Sequence, residues 1–399
     1  MSNNSVVYAI AGVFFASDEP SVLDLPWRSF YFSKMKKTIQ RLFLGASIGI
    51  ASLSSSVLAD TVVYVSESKD RKIAVYSLDE VTGDLSRLSE VAFEGSPGCL
   101  AVNKARTKIH ASIRTIPAFD SLSISPHDGS LQSLASRPAQ GSAAYIYLDE
   151  TENWLLSACY GEGLVGVTRV SNGVVAGNPQ SVLDVGKKAH CIQTDPANLF
   201  AFCPHPVDLN QVTQLRFDSE KGTLTLNDRP AMKAGEGEGP RHLQFHPNGK
   251  WVYLVNEQGK SVTLCYYDAK SGNLKRRETL STVPDDWDKS QGSCADIEIS
   301  GDGRFVYASN RGHNSIAMFS IDEADGTLTS LGQAATGEIP RSFNLIEGGE
   351  KFVVAAGQKS NDLTVYRRDE KSGLLTKLKT YPCGNSPAWV VGVKLPSQK

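Results

Sequence analysis

Four side chains capable of chemistry mark the two ends of one predicted hairpin, in residues 239–257. Its first strand opens with Arg241 and His242, a Pro-Asn-Gly turn follows, and its second strand closes with Asn256 and Glu257. A hairpin brings the start of its first strand beside the end of its second. We therefore expect a guanidinium, an imidazole, a carboxamide and a carboxylate to meet at one edge.

The hairpin recurs along the chain with polar side chains at the corresponding ends. The next copy begins with Asp296 and ends with Arg311, and the copy after it begins with Arg341 and ends with Gln358. Looser copies and neighbouring positions add further polar side chains: Arg114, Tyr145, Tyr160, His190, His205 and His313. These residues are expected to collect on one face of the molecule.

The residue types favour chemistry on an anionic or ester substrate. Guanidinium groups such as those of Arg241, Arg311 and Arg341 bind carboxylates or phosphates through paired hydrogen bonds and can stabilise an oxyanion. Glu257 can take a proton from water, or it can be the salt-bridge partner that fixes Arg241. His190 can be an acid or base near neutral pH, or a structural histidine.

We therefore predict that Glu257, His190 and Arg241 are catalytic. The predicted substrate-binding residues lie at the same face: Arg311, Arg341, His242, Asn256, Asp296, Tyr160 and Gln358.

Other familiar site signatures find no support in the sequence. The GxSxG at 45–49 lies in the N-terminal apolar segment, where it reflects composition. The Gly-rich run 235–239 has no Lys-Ser or Lys-Thr and carries two glutamates, which would repel a phosphate. Histidines and carboxylates show no metal-ligand spacing. We predict no covalent nucleophile, no metal and no cofactor.

A turn of the form x-Gly-x-Leu, or close to it, sets the period of the chain. Its glycines recur at intervals of 44 to 54 residues: Gly83, Gly129, Gly173, Gly222, Gly272, Gly326 and Gly373. Seven copies of this length, each with short alternating strands, predict an all-β, seven-bladed propeller with four antiparallel strands per blade.

The two ends of the repeat region complete each other. Residues 61–67 read as a second strand that lacks a first, and residues 386–395 read as a first strand that lacks a second. The C-terminal strand should pair with the N-terminal one, close the ring and remove both free sheet edges. We therefore expect one propeller domain over 60–399, whose first strands line the central axis.

The N-terminal segment does not belong to the repeat. Residues 35–59 carry Lys36, Lys37 and Arg41, an apolar stretch and a small-residue ending, which predicts a signal peptide cleaved after Ala59. A membrane anchor is the alternative. We assign no function to the leader, residues 1–34.

Composition limits the partners of the exported part. Removal of residues 1–59 leaves 36 of the 41 lysines and arginines and 40 of the 43 aspartates and glutamates, a net charge of −4. This mild acidity predicts neither a nucleic-acid surface nor a membrane patch. We expect a monomer that acts on a small molecule and is periplasmic or secreted, or cytoplasmic if the signal is not used. The seven cysteines show no metal-ligand spacing and are expected mostly as buried thiols; Cys191 and Cys203, on two strands of one hairpin, are the pair that an oxidising compartment could join.

The repeats resemble a known family. The stretches GPRHLQFHPNGKWVYLVNE, ADIEISGDGRFVYASNRGHNSI and PRSFNLIEGGEKFVVAAGQKSNDLTVY are similar to the bacterial propeller-type 6-phosphogluconolactonases, a family that includes the fungal carboxymuconate lactonizing enzymes. The resemblance implies hydrolysis of a sugar lactone such as 6-phosphogluconolactone. It also implies that His190, Arg241, Arg311 and Glu257 occupy the positions thought to act in the muconate branch.

The chain departs from this family at three places. Tyr145 and Lys188 stand where family members often have histidines, and a DLG-type motif is altered to HPVDLNQ. Most members are cytosolic, whereas a signal peptide predicts export. We predict hydrolysis of 6-phosphogluconolactone or a related aldonolactone. The alternatives are a non-catalytic propeller that binds an anion or a protein, and a lactonizing cycloisomerase.

Overall fold

The described structure, a computed structural model, covers residues 60–347 and 350–396. Its 28 strands form seven four-stranded antiparallel sheets, which confirms the predicted seven-bladed propeller. The predicted leader and signal peptide lie outside the described residues. No helix within the described ranges is long and apolar enough to cross a membrane.

The ring closes as predicted, because the last strand pairs with the first. Blade 1 combines β28 (Pro387–Lys394) with β1 (Thr61–Glu67), β2 (Lys72–Leu78) and β3 (Leu85–Ala92). The antiparallel register joins Thr61 to Lys394 and Val65 to Val390. Blade 1 therefore cannot form without both ends of the propeller.

The other six blades each use four consecutive strands. Blade 2 consists of β4 (Pro97–Val102), β5 (Lys108–Ile113), β6 (Ala118–Ile124) and β7 (Leu131–Pro138). Blade 3 consists of β8 (Ala143–Leu148), β9 (Trp154–Cys159), β10 (Leu164–Ser171) and β11 (Val174–Asp184). Blade 4 consists of β12 (Gln193–Thr194), β13 (Phe200–His205), β14 (Gln211–Asp218) and β15 (Thr223–Lys233).

The last three blades follow the same order. Blade 5 consists of β16 (Pro240–Phe245), β17 (Trp251–Asn256), β18 (Ser261–Asp268) and β19 (Asn273–Ser281). Blade 6 consists of β20 (Ser293–Ile299), β21 (Phe305–Arg311), β22 (Ser315–Ile321) and β23 (Leu328–Ala335). Blade 7 consists of β24 (Pro340–Leu345), β25 (Phe352–Gly357), β26 (Asp362–Arg368) and β27 (Leu375–Pro382).

Burial changes from the axis to the rim of each blade. Second strands such as β17, WVYLVN, are buried along their whole length because both faces pack against neighbouring blades. Fourth strands such as β27, LTKLKTYP, leave most of their side chains in solvent or only partly buried. The first strands contact one another around the axis, as β16 does with β20 and β24 with β28.

The repeated glycines are contacts between blades. A Cβ on Gly272 would overlap the ring of Phe200, which begins the second strand of the preceding blade, and a Cβ on Gly326 would overlap Trp251. The other five repeat glycines also face the start of a second strand in the preceding blade; four would overlap it, and Gly173 would make a tight 3.1 Å contact with Lys108. The leucine of the turn is buried as well, as Leu274 shows. The x-Gly-x-Leu turn therefore joins each blade to its neighbour.

Candidate active site

Bulges in the first strands determine which side chains reach the mouth of the channel. Pro240 pairs with Asn256 but His242 pairs with Val255, so Arg241 is an extra residue in its strand. Arg341 is the extra residue between Pro340 and Ser342 in the same way. A β-bulge interrupts the alternation of side chains and turns one of them to a new direction. The same irregularity recurs in the first strands of blades 1, 2, 3 and 6.

The residues at these bulges form the walls of a pocket. The pocket is narrow: its cavity volume of about 10 Å³ is close to the room that one water molecule needs, so a larger ligand would have to displace lining side chains or lie across the opening. Small side chains make the space, since Gly98, Ala144 and Ala388 occupy positions where Arg241 and Arg341 carry guanidinium groups. The remaining lining residues are Cys99, Arg114, His190 and Trp389.

Glu257 links two arginines from adjacent blades. Its Oε1 accepts a hydrogen bond from Nη2 of Arg311 at 2.7 Å, and its Oε2 lies 3.5 Å from Nε of Arg241. Arg311 also donates to the carbonyl of Cys294 at 2.7 Å. Nη1 of Arg241 donates to the carbonyl of Ala295. The arginines are therefore fixed in place, as the salt-bridge interpretation of Glu257 expects.

The cluster holds more positive than negative charge. Burial, followed by the charges of Arg341 and Arg311, lowers the pKa of Arg241. Burial, followed by the charges of Arg311 and Arg114, lowers the pKa of Arg341. Within the described ranges the guanidinium of Arg341 has no hydrogen-bond or ion-pair partner. An anion in the pocket would relieve this repulsion.

Arg114 provides a further cation at the pocket wall. It follows the second strand of blade 2, at the position that Glu257 occupies in blade 5. The backbone hydrogen bonds show the match: the N–H of Arg114 donates to the carbonyl of Ser96, and that of Glu257 donates to the carbonyl of Gly239. Its buried Nε has no partner among the described residues. A Cβ on Gly98 would press against its Cδ at 2.9 Å, so the glycine leaves room for Arg114.

His190 is a buried, neutral imidazole at the pocket. Burial lowers its pKa well below the usual value, and the nearby charge of Arg241 acts in the same direction. Its Nδ1 has no hydrogen-bond partner in the part of the chain that the structure describes. The ring of Tyr160 meets it edge-on with centroids 5.3 Å apart. The strand of blade 4 begins later than predicted, at Gln193, so His190 lies in an irregular segment.

His242 and Asp296 form a hydrogen-bonded pair beneath Arg241. Nδ1 of His242 lies 2.8 Å from Oδ1 of Asp296, and its Nε2 lies 3.1 Å from Nη1 of Arg241. Burial, with the charge of Arg241, lowers the pKa of His242 to about 4. A neutral ring therefore donates from Nδ1 to the carboxylate and presents the lone pair of Nε2 to the guanidinium.

Aromatic rings close the bottom of the site. Trp389, on the C-terminal strand, meets Tyr145 edge-on at a centroid distance of 5.5 Å and lies 6.0 Å from His242. Tyr145 is buried, and its hydroxyl accepts a hydrogen bond from Gln193 at 2.8 Å. Tyr145 was expected at the same face as Arg241, whereas it is buried against Trp389 and His242 and does not line the pocket.

Several residues expected at this face are engaged elsewhere. The amide of Asn256 donates to Ser261 and Thr263 inside its blade, at 2.9 and 2.8 Å. His205 is buried between the carbonyl of Lys187 and the hydroxyl of Thr213. His313, which contacts Ser315 and Trp287, does not line the pocket. Of the ten residues predicted for the site, His190, Arg241 and Arg341 line this pocket, whereas the other seven do not: Glu257, Arg311, His242, Asn256, Asp296, Tyr160 and Gln358.

The thiols and the potential metal ligands have no evident chemical role. All seven cysteines are free and six are buried, as expected, so the alternative of a disulfide between Cys191 and Cys203 is not formed. Both are fully buried. No group of three or more His, Cys, Asp or Glu residues within 60–347 and 350–396 is placed to hold a metal ion.

Sequence reasoning missed the bulges and Trp389. The signal was present, since Pro-Arg at 240–241 and 340–341 and Pro-Ala at 387–388 occupy matching places in three first strands. Aligning those strands would have placed Trp389 at the level of His242. A bulge itself leaves no clear mark in a pattern of alternating residues.

Comparison with known proteins agrees with this architecture. Residues 62–392 match the family described as lactonase, 7-bladed beta-propeller. A 6-phosphogluconolactonase from Serratia proteamaculans is 33% identical over 289 residues, 72% of this chain and 86% of the relative. Another, from Pectobacterium atrosepticum, is 32% identical over 286 residues, 71% of this chain and 84% of the relative.

A solved structure supports the same assignment. The periplasmic gluconolactonase of Pseudomonas aeruginosa is similar, with a TM-score of 0.76 and 25% identity over 84% of this chain and 99% of the other. Fold, cationic pocket and relatives together define an enzyme of the carboxylic-ester hydrolase class. The chain belongs to the family of seven-bladed β-propeller lactonases.

Proposed function

We propose that the protein hydrolyses a sugar lactone in the pocket that Arg241, Arg341 and His190 line. The lactone is 6-phosphogluconolactone or a related aldonolactone. The names of the relatives support a lactone substrate. The observation that carries the proposal is the guanidinium of Arg341, which faces the same small pocket as Arg241 and has no ion-pair partner among the described residues. Such a guanidinium can bind an anionic group of the substrate, while Arg241 beside it can meet the negative charge that develops on the carbonyl oxygen.

The reaction needs one water and no other reactant. The water oxygen attacks the lactone carbonyl carbon while a base takes its proton, and the carbonyl oxygen becomes an oxyanion. The oxyanion then collapses, the bond to the ring oxygen breaks, and the ring oxygen receives a proton. The product is an open-chain hydroxy acid, whose carboxylate also suits the arginines.

Glu257 and His190 are the proposed bases. Oε1 of Glu257 is occupied by Arg311 at 2.7 Å, whereas Oε2 has only the longer 3.5 Å contact with Arg241. Oε2 is therefore the oxygen that takes the water proton in this proposal. Burial and the charge of Arg241 depress the pKa of His190, so its ring is neutral near pH 7 and offers a lone pair, but the same effects make it a weaker base.

Arg241 and Arg341 have separate roles in the proposed reaction. Arg241 is fixed by Ala295, His242 and Glu257, so it can meet the developing oxyanion without reorganising. The guanidinium of Arg341 has no hydrogen-bond or ion-pair partner among the described residues, and in this proposal it binds an anionic group of the substrate. Each oxyanion donor is expected to contribute about 10² to 10³ in rate.

We also propose that the enzyme acts outside the inner membrane. The predicted signal peptide at 35–59 supports export, and the similar Pseudomonas aeruginosa protein is described as periplasmic. Mass spectrometry of the protein from a periplasmic extract should give a chain that begins at Asp60. A chain that retains residues 35–59, recovered from cytosol, would contradict export.

A hydrolysis panel tests the proposed activity directly. The full chain is expressed with its N-terminal segment, purified, and mixed with phosphorylated and plain aldonolactones, and with carboxymuconate for the cycloisomerase reaction. Hydroxamate assay of the remaining lactone measures the rate against spontaneous hydrolysis in the same buffer. Acceleration of at least one aldonolactone supports the proposal. No acceleration of any lactone, with folded protein, would leave a binding propeller as the better explanation.

A further inference from the structure

We propose that Trp389 is the surface on which the ring of the substrate lies, so that the enzyme selects cyclic esters with an apolar C–H face. This inference rests on the proposed lactone hydrolysis and adds a specificity-determining residue to it. Trp389 belongs to the strand that closes the propeller, and no part of the proposed proton transfer uses it.

The position of Trp389 follows from the bulge in β28. Ser66 pairs with Trp389 and Glu67 pairs with Pro387, so Ala388 is the extra residue between them. Ala388 and Trp389 consequently both line the pocket. The indole is only partly buried, whereas Tyr145 and His242 beside it are buried.

The indole is held in one orientation before any ligand arrives. Tyr145 contacts it edge-on at 81° between ring planes, and His242 lies against it at 52°. Tyr145 and His242 are themselves in contact, with centroids 5.2 Å apart. Three rings from blades 1, 3 and 5 therefore support each other across the channel. Because the indole is already held in place, stacking of a ligand on Trp389 costs little side-chain conformational entropy.

The rest of the pocket lining makes the indole distinctive. Arg114, Arg241, Arg341 and His190 offer polar groups, and the other lining residues are small. Trp389 is thus the one extended apolar surface among the residues that line this pocket. A sugar lactone matches this pattern, because its carbonyl and hydroxyl groups project from the ring edge while one ring face presents C–H bonds. Stacking would displace water from both faces.

Steady-state kinetics of Trp389→Leu and Trp389→Phe test the inference. We expect Trp389→Leu to raise KM for an aldonolactone about 10-fold with kcat within about 2-fold, because stacking stabilises ground and transition states alike. Trp389→Phe, which keeps a flat ring, should show a smaller rise. Trp287→Phe is the matched control, since Trp287 contacts His313 and does not line the pocket.

Fluorescence gives a second readout that needs no turnover. Titration with gluconolactam, a cyclic analogue in which an amide replaces the ester, should change the emission of the wild type and of Trp287→Phe but not that of Trp389→Phe. Thermal denaturation checks that the variants fold, because β28 closes the ring. If Trp389→Leu loses its fold, the comparison of wild type with Trp389→Phe decides.

The outcomes separate this inference from the proposed function. An active wild type whose Trp389 variants keep their KM, with no Trp389-dependent emission change, overturns the inference and leaves lactone hydrolysis intact. An inactive wild type overturns the proposed function. In that case a Trp389-dependent response to gluconolactam would still support stacking, and its absence would overturn it.

Discussion

Glu257 and Arg311 occupy equivalent positions in adjacent blades, each directly after the buried part of a second strand, and they join those blades through a 2.7 Å ion pair. The propeller repeat brings the two positions to the same face. The two copies of the motif differ in residue type at this position. The carboxylate of one blade therefore contacts the guanidinium of the next. Arg241, from the first strand of the same blade as Glu257, completes the cluster at 3.5 Å.

Replacement of Glu257 by Gln separates its catalytic role from its structural one. The amide keeps the size of the side chain but cannot take the proton of water, so kcat should fall by about 10² to 10⁴. Product affinity, measured by calorimetry with gluconate, should persist. Glu338→Gln is the control because Glu338 is an exposed carboxylate paired with Lys359. Unchanged kcat in Glu257→Gln would restrict Glu257 to holding the arginines.

Arg341→Met tests whether the unpaired guanidinium binds an anionic substrate. A charge-assisted hydrogen bond to a charged ligand contributes about 1.5–3 kcal/mol, so KM for a phosphorylated lactone should rise by about 10- to 100-fold. The effect on a plain lactone should be smaller. Arg304→Met, at the opposite face where Arg304 pairs with Asp302, should change neither constant. Equal losses with both lactones would instead assign Arg341 to the oxyanion.

The fold could be read from the sequence because its signals are local and repeated. Each x-Gly-x-Leu turn packs a glycine against the neighbouring blade, as Gly272 does against Phe200, so the period of the glycines is the period of the blades. Ring closure was also predictable, since the missing first strand of blade 1 reappears at residues 387–394. Both features can be recognised from the order of residue types in the sequence alone.

The site was predictable only in part because side-chain direction depends on the bulges. Arg241, Arg311 and Glu257 meet as expected, whereas Asn256, one residue before Glu257, turns into the blade to bind Ser261 and Thr263. Simple alternation along a strand cannot place Arg241 and His242 on one side. The sequence predicted that the strand containing Trp389 closes the ring. It did not show that the indole lines the pocket, because that depends on how the seven first strands meet around the axis.

Asp296 should act on the reaction through His242 and Arg241. Asp296→Asn removes the charge that fixes the Nδ1–H tautomer of His242, which in turn accepts from Arg241 at 3.1 Å. Partners that orient a metal-bound histidine typically contribute 10- to 100-fold, and by analogy we expect kcat to fall by about that factor with KM nearly unchanged. A structural role alone would lower the amount of folded enzyme without changing kcat per folded molecule. Asp302→Asn, at the opposite face, is the control.

His110 should make the protein less stable in mild acid. It is buried between strands of blade 2, 3.0 Å from the hydroxyl of Ser121, and burial lowers its pKa from 6.5 to about 4. The unfolded chain therefore binds the proton first, so stability is full above pH 6.5 and falls as pH decreases towards 4. From pH 7 to pH 5 the loss is about 2 kcal/mol.

Comparison with His110→Gln isolates this contribution. Urea unfolding of both proteins at pH 7 and pH 5 gives the difference in the free energy of unfolding at each pH. The wild type should lose about 2 kcal/mol relative to the variant between the two values. A difference that does not change with pH would mean that His110 titrates alike in the folded and unfolded chains.

Gly272→Ala should weaken the junction between blades 4 and 5. Gly272 has φ of +67°, which alanine adopts only at a cost of about 1–2 kcal/mol, and the added Cβ would overlap the ring of Phe200. Overpacking adds about 1–3 kcal/mol, so the free energy of unfolding should fall by about 2–5 kcal/mol. Gly237→Ala is the matched control, because Gly237 has φ of +68° with open space around it. Equal losses in the two variants, measured by urea unfolding, would show that backbone strain alone explains the repeated glycine; a larger loss at Gly272 would assign the excess to packing between blades.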